Sequence, residues 1–252
     1  MGVGVGVGVG LGGKLASPPA HQLVSRWYEV GPALPSAYCL VSDSAEAPGA
    51  ELDTANIMWW IDRSPNVIQA TQSNPLFVPV WRVSGSERWL EAGAEIRMNC
   101  ATALACSGAF HVFWRGTRSA GSKLMIWSGQ ASGNPAIQWW NDNAVYVIRD
   151  DGGFVNNAVT SVAGTHWLHV WRDGANAVKA QAQGGSEVSL GTLSGTLTLD
   201  LLLGRPASLQ WTDAGVQTLA IAAHNAALSA GSVAKVLTAL EAITLAYPVG
   251  GG

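Results

Sequence analysis

Twelve tryptophans are spread along this 252-residue chain, and four of them stand as adjacent pairs, Trp59-Trp60 and Trp139-Trp140. An indole combines a broad apolar face with a single N–H donor, and a sugar ring can stack on that face. Neighbouring residues of a strand point to opposite sides. Each pair is therefore expected to give one core residue and one outward residue. Polar groups follow Trp60 (Asp62, Arg63) and Trp140 (Asn141, Asp142) within a few positions. That choice makes Trp60 and Trp140 the candidate carbohydrate-binding residues.

Carboxylates are the next groups with chemistry to offer. Glu91 and Glu95 flank Gly93 in EAGAE, where a glycosidase strand of the E-x-D-x-E kind has an acid in the middle. Strand residues four apart have Cα atoms about 13 Å apart. Retaining glycosidases hold their two carboxyl groups roughly 5–5.5 Å apart. No catalytic residue is assigned on this basis, and the chain is expected not to be an enzyme. Asp142, Asp150, Asp151, Asn156 and Asn157 offer the oxygen ligands that calcium prefers. Their spacing matches no ligand loop and suits turns equally well, so no cofactor or metal is expected, with calcium the one ion to test. His111, His166 and His169 lie in strand-like segments with no nucleophile beside them, and are read as structural. Three cysteines, Cys39, Cys100 and Cys106, cannot close a disulfide framework among themselves. They read as thiols, with a local Cys100–Cys106 bridge as the alternative.

The elements that must carry these groups are short strands. Apolar residues make up 48% and charged residues 12%, with 30 glycines. This composition suits a packed domain rich in tight turns rather than disorder or long solvated helices. Strand patterns fall at residues 26–30, 37–41, 81–83, 95–98, 109–115, 123–127, 136–140, 144–149, 165–172, 177–182, 197–203 and 216–222. Asn141-Asp142-Asn143 and Asp173-Gly174 mark hairpins between them. Residues 109–115 are apolar on both faces. One helix is expected near the end, capped by Ser229 or Ser232, with Val233, Val236, Leu237 and Leu240 as its stripe. Many short strands and one late helix indicate an all-β, two-sheet antiparallel jelly-roll sandwich.

The net charge of −3 comes with no basic tract. Nucleic acid and membrane surfaces are therefore not expected partners. No export signal and no apolar span are read in the sequence. Residues 2–13 run GVGVGVGVGLGG, which puts Val3, Val5, Val7, Val9 and Leu11 on one face of an extended chain. A breaker-rich KLASPPA follows. The expected organisation is an arm with linker over 1–19 and a sandwich over 20–252. Such an arm is expected to order against another chain, because five valines and a leucine cannot offset its backbone entropy unless a partner buries them.

Several segments, in order, resemble the concanavalin A-like, laminin-G-like jelly-roll domain carried by many phage and bacterial surface proteins. The segment Trp60-Ile61-Asp62-Arg63-Ser64-Pro65-Asn66 with Ala70-Thr71-Gln72 is similar to the family's opening W-x-D-x-S-g-N and A-t-Q. Ala92-Gly93-Ala94-Glu95-Ile96-Arg97-Met98-Asn99 resembles its G-x-x-A-x-R-F-D-G strand but lacks the Phe-Asp-Gly end. His166 to Gly174 resembles its hairpin ending in R-D-G, and residues 219–229 its closing strand. The likeness covers roughly residues 37–247. It implies a virion-surface component made in a host cytoplasm: a capsid decoration, head spike or tail appendage that docks through its arm onto other virion proteins and sister subunits. The alternative is a carbohydrate-binding host-attachment adhesin that uses exposed tryptophan on a surface glycan. A glycoside hydrolase is the remote third reading.

Overall fold

The structure is a computed structural model and describes residues 18–30, 39–41, 55–84, 87–93, 96–161, 163–204, 212–213 and 215–243. Val3, Val5, Val7, Val9 and Leu11 of the expected arm lie outside these residues, as does Glu95. Seventeen strands are found among them. The first eight are β1 (Arg26–Glu29), β2 (Cys39–Val41), β3 (Ala55–Trp60), β4 (Ala70–Thr71), β5 (Val80–Ser84), β6 (Glu87–Glu91), β7 (Met98–Cys106) and β8 (Phe110–Thr117). Then come β9 (Leu124–Ser128), β10 (Ala136–Trp139), β11 (Ala144–Ile148), β12 (Phe154–Ala158), β13 (Thr165–Arg172), β14 (Ala177–Ala182), β15 (Val188–Thr192), β16 (Leu197–Leu202) and β17 (Gln217–His224). Helix α1 (Ala230–Ala242) is last.

The strands form two sheets, and every ladder is antiparallel. Sheet one runs β15-β14-β13-β8-β17. The far edge of β17 is shared, with β1 along Ala220–Ala223 and β6 along Gln217 and Thr218. Sheet two runs β12-β11-β10-β9-β16-β7-β4-β3-β2. The all-β sandwich with one C-terminal helix is thus the observed fold.

Two-sided strands sit where both faces are covered. In β8, Phe110, Val112 and Trp114 face the sandwich interior, where Trp114 and Trp139 both meet the His166 ring edge-on at 5.6 Å. Its other face, with His111, Phe113 and Arg115, lies under α1, and Arg115 Nε donates to the Ile243 carbonyl. The helix keeps the expected cap and stripe. Ser229 Oγ accepts from the Ser232 amide, and Val236 and Leu240 are buried.

The loop after β3 is organised by one carboxylate. Asp62 is buried and accepts from the amides of Trp27, Ser64 and Ile68 and from the Ser64 hydroxyl, all at 2.8–2.9 Å. The W-x-D-x-S motif is therefore a device for fixing this loop to β1. Arg172 plays a similar part at one end of the sandwich. Its buried guanidinium donates to the carbonyls of Cys106, Gly108, Leu193 and Gly195.

Two sequence expectations change, and the reading of Cys100 and Cys106 as thiols holds. Trp60 is fully buried, stacks at a tilt on Tyr28 and donates Nε1 to the Glu29 carbonyl; it is Trp59 that is 40% exposed. The polar residues after Trp60 turn inward to build the Asp62 loop, so they did not mark an outward indole. The Asp173 hairpin is not a two-residue turn. It closes between Asp173 and Ala177, with the left-handed residue being Asn176 rather than Gly174, and the Asp173 carboxylate accepts from the Ala175 and Ala177 amides. Cys100 and Cys106 are free, buried thiols. Both lie on β7, six residues apart, which puts them about 20 Å apart along the strand and beyond disulfide reach. Burial pushes both thiols up to about 12.

Candidate functional site

Strand alternation assembles an aromatic surface on the outer face of sheet two. In β10, Ile137 and Trp139 point into the core, which leaves Gln138, and Trp140 just beyond, on the outer side. In β11, Val145 and Val147 are buried, and Tyr146 and Ile148 face out. The register sets Gln138 opposite Tyr146, Tyr146 opposite Asn156, and Ile148 opposite Phe154. Gln138, Trp140, Tyr146, Ile148 and Phe154 line a shallow pocket of about 250 Å³. Phe154 is 58% exposed and lies 6.0 Å from the Tyr146 ring.

The β10–β11 turn holds Trp140 in place. The Trp140 amide donates to the Ala144 carbonyl, the Asn143 amide donates to the Trp140 carbonyl, and Asn143 takes a left-handed backbone. Such a backbone suits asparagine. Arg118 buttresses the turn from below: Nη2 donates to the Trp140 carbonyl at 2.6 Å, Nη1 to Asn143 Oδ1, and the guanidinium lies 4.5 Å from the Trp139 ring. Burial lowers the Arg118 guanidinium to about 10, so it stays charged at neutral pH. On the outer side, Lys123 Nζ sits 4.8 Å from the Trp140 ring centre.

The polar groups of the pocket differ in how they are engaged. Asp142 accepts from the Ala144 amide through one oxygen and from the Tyr146 hydroxyl, at 3.0 Å, through the other. Burial and the bond to Asp142 raise the Tyr146 phenol above its ordinary range, so it remains a neutral hydroxyl. Gln138 is only 3% exposed, yet its Oε1 makes no hydrogen bond. A buried acceptor without a donor is disfavoured by about 1–3 kcal/mol.

Of the two tryptophans chosen from sequence, the structure puts Trp140 in this pocket and Trp60 in the core. Gln138 and Tyr146 share the strand parity of Trp140 and could have been read from the same alternation. Phe154 could not, because GGFVNN shows no period. The oxygen-bearing residues considered for calcium do not gather. Asp150 accepts from the Thr198 amide and hydroxyl, and Asp151 accepts from the Gly153 amide and pairs with Arg149. Among the described residues no group of three metal-ligating side chains is found. No helix among them is long and apolar enough to cross a membrane.

No family model matches the sequence, and no curated protein matches it significantly. Solved structures do share the fold. A GH54 α-L-arabinofuranosidase soaked with a cyclic sulfate inhibitor aligns over 89% of this chain and 63% of its own, at 11% identity and a TM-score of 0.56. An arabinofuranosidase complexed with arabinofuranosyl-α-1,2-xylobiose aligns over 77% of this chain and 52% of its own, at 9% identity and a TM-score of 0.50. A Trypanosoma rangeli sialidase in complex with sialic acid aligns over 89% and 37%, at 12% identity and a TM-score of 0.47. The chain thus spans between 37% and 63% of the length of these proteins. The likeness shows the sandwich. It also corrects the expectation of a non-enzymatic chain. That expectation rested on the carboxylate spacing and the absent middle acid of EAGAE, and the fold is one shared with arabinofuranosidases.

Proposed function

We propose that this chain binds carbohydrate, and that the sugar sits in the pocket of Gln138, Trp140, Tyr146, Ile148 and Phe154. The observation that carries the reading is the outer-face pocket walled by the rings of Trp140, Tyr146 and Phe154. Ligand pockets combine apolar lining with a few placed polar groups. Three aromatic rings supply faces for C–H surfaces of a sugar. Asp142 and the Tyr146 hydroxyl stand at the rim as further partners. The arabinofuranosidase structures support a glycan as the ligand class at the level of the fold.

The pocket moves the weight from particle assembly, which the sequence placed first, to sugar binding, which it placed second. Virion placement and docking through the arm remain a separate proposal, motivated by the Gly-Val arm, the sequence resemblance and the absence of a readable export signal.

The test is a screen of the recombinant chain against arrayed plant, bacterial and host polysaccharides, followed by an assay of bound glycans for new reducing ends. Binding to at least one glycan class, reduced at least tenfold by Trp140→Ala, is the expected result. Uniform silence of the array, or binding untouched by Trp140→Ala, sinks the assignment. New reducing ends would add hydrolysis to the binding role.

A further inference from the structure

A second cleft lies on sheet one, between α1 and the outer face of β13 and β14, and its volume is about 410 Å³. Small-molecule sites span roughly 300–1,000 Å³. The two walls differ in kind. Val233 and Leu237, one turn apart on α1, form an apolar wall with Ala234. The sheet wall is aromatic. Alternation turns His169 and Trp171 of β13 to the same side, and the register sets Gln181 of β14 opposite His169.

The helix is fastened over the sheet at both ends, so the gap beside it is held open by fixed elements. Just before the helix, the Leu228 amide donates to His111 Nε2 at 3.1 Å. At its far end, Trp167 Nε1 donates to Glu241 at 2.8 Å and Arg115 Nε donates to the Ile243 carbonyl at 3.2 Å. Between these points Val236 and Leu240 anchor the helix in the core.

The aromatic wall is a stack. Phe113, His169 and Trp171 lie nearly parallel, with 7° and 18° between successive planes and 4.2 and 4.4 Å between centres. Trp171 is half-buried and ends the stack: among the described residues no further ring or cation lies on it. The cleft also carries no net charge. Glu187 at the rim pairs with Lys179 at 2.8 Å. Burial and His224 lower His111 to about 4, and burial and His111 hold His169 well below the usual imidazole range, so both rings are neutral at neutral pH. Gln181 donates Nε2 to the Gly185 carbonyl at 3.0 Å, which leaves its Oε1 as an acceptor.

These walls select an occupant. A sugar would set hydroxyls against Val233 and Leu237, where nothing can bond them, and a charged group would lose its water without gaining a counter-ion. A flat ring meets both walls with an apolar face. We propose that this cleft binds a neutral, flat aromatic molecule with one hydrogen-bond donor at its edge, of the phenol or indole kind. Its ring continues the stack from Trp171, its other face lies on Val233 and Leu237, and its O–H or N–H donates to Gln181 Oε1. The site is independent of the sugar pocket on sheet two.

Titration of the intact chain with 2-naphthol tests this, followed through the Trp171 indole N–H and the backbone amides of β13 and α1 in NMR spectra. Loss of one indole signal in Trp171→Phe assigns that resonance. Saturable shifts at these positions are expected, with none at Tyr146. Naphthalene, which lacks the donor, should bind roughly fivefold more weakly, the scale of one net hydrogen bond. The anion 2-naphthoate should bind more weakly still. Gln181→Leu should bring 2-naphthol down to the affinity of naphthalene. Ala234→Trp should fill the cleft and weaken binding at least tenfold, with the circular dichroism spectrum unchanged. Absence of saturable shifts overturns the proposal, as do shifts confined to the Tyr146 side of the molecule. Equal binding of the three probes, or unchanged affinity in either variant, overturns it as well.

Discussion

Trp139 and Trp140 are adjacent in sequence and stand on opposite sides of sheet two. Trp139 is fully buried against His166 and Arg118 and donates Nε1 to the Asn143 carbonyl at 3.0 Å; Trp140 lines the outer pocket. The pair therefore gives one indole to the core and one to the outer pocket within one dipeptide.

Trp139→Ala should destabilise the fold by about 3–5 kcal/mol, the range for deleting a large buried aromatic. Trp140→Ala should change stability by less than about 1 kcal/mol and weaken glycan binding at least tenfold. Urea denaturation of both variants, beside glycan titrations, checks the split. Equal stability losses would show that Trp140 is a packing residue.

Gln138→Leu should work against intuition for a polar residue in a site. It removes the orphaned Oε1 and fills the same space, so the empty protein should gain about 1 kcal/mol of stability. The aromatic walls of the pocket are untouched, so glycan affinity should change less than it does for Trp140→Ala. A thermal melt and a binding isotherm on one preparation suffice. Loss of stability would mean that Gln138 has a structural partner after all.

Asp62→Ala leaves three amides and one hydroxyl without their acceptor. Removing a buried charge of this kind should cost about 3–5 kcal/mol. Asp62→Asn retains one acceptor oxygen and should fall between. Amide exchange should speed up first at Trp27, Ser64 and Ile68, the donors that Asp62 holds.

Acid should loosen the helix before the sandwich. Burial and the neighbouring His224 lower His111 to about 4, and burial with His111 drives His169 well below the usual imidazole range. Unfolded, both take up a proton near 6.5. Between about pH 6.5 and 4 the unfolded chain binds more protons, so stability falls as pH falls through that window. For His111 alone the loss by pH 4 is roughly 3 kcal/mol. Protonation also removes the acceptor that fixes the Leu228 amide. Amide exchange of α1 against pH should therefore show a step that His111→Phe reduces.

Most of the sandwich was legible because alternation and turn chemistry act locally. Residues 165–172 and 177–182 coincide with β13 and β14, and Ser229 caps α1 as its position suggested. Strands β3, β4, β6, β12 and β15 were not among the strand patterns, and the pattern at 95–98 meets only the first residue of β7. In the last three of the missed strands the pattern is broken. Arg88, Asn156 and Gly191 interrupt their apolar pattern, and these strands are fixed by their neighbours rather than by their own sequence. The choice of Trp60 failed for a related reason: nearby polar residues say nothing about direction when a carboxylate such as Asp62 is satisfied inside. At the pocket, Trp140 could be read, but Gln138 gains its meaning only from burial, which depends on strands distant in sequence.

The shared edge of β17 has a mechanical consequence. Arg26, the first residue of β1, sits opposite Ala223, near the end of β17. A pull that separates the start of β1 from the end of β17 loads the ladder at one end. Its rungs then open one after another instead of resisting together in shear. The sandwich should yield at low force by shedding β1, while β6 keeps its grip on the other half of the same edge. Trp27, whose amide is held by Asp62, would be the first core aromatic uncovered.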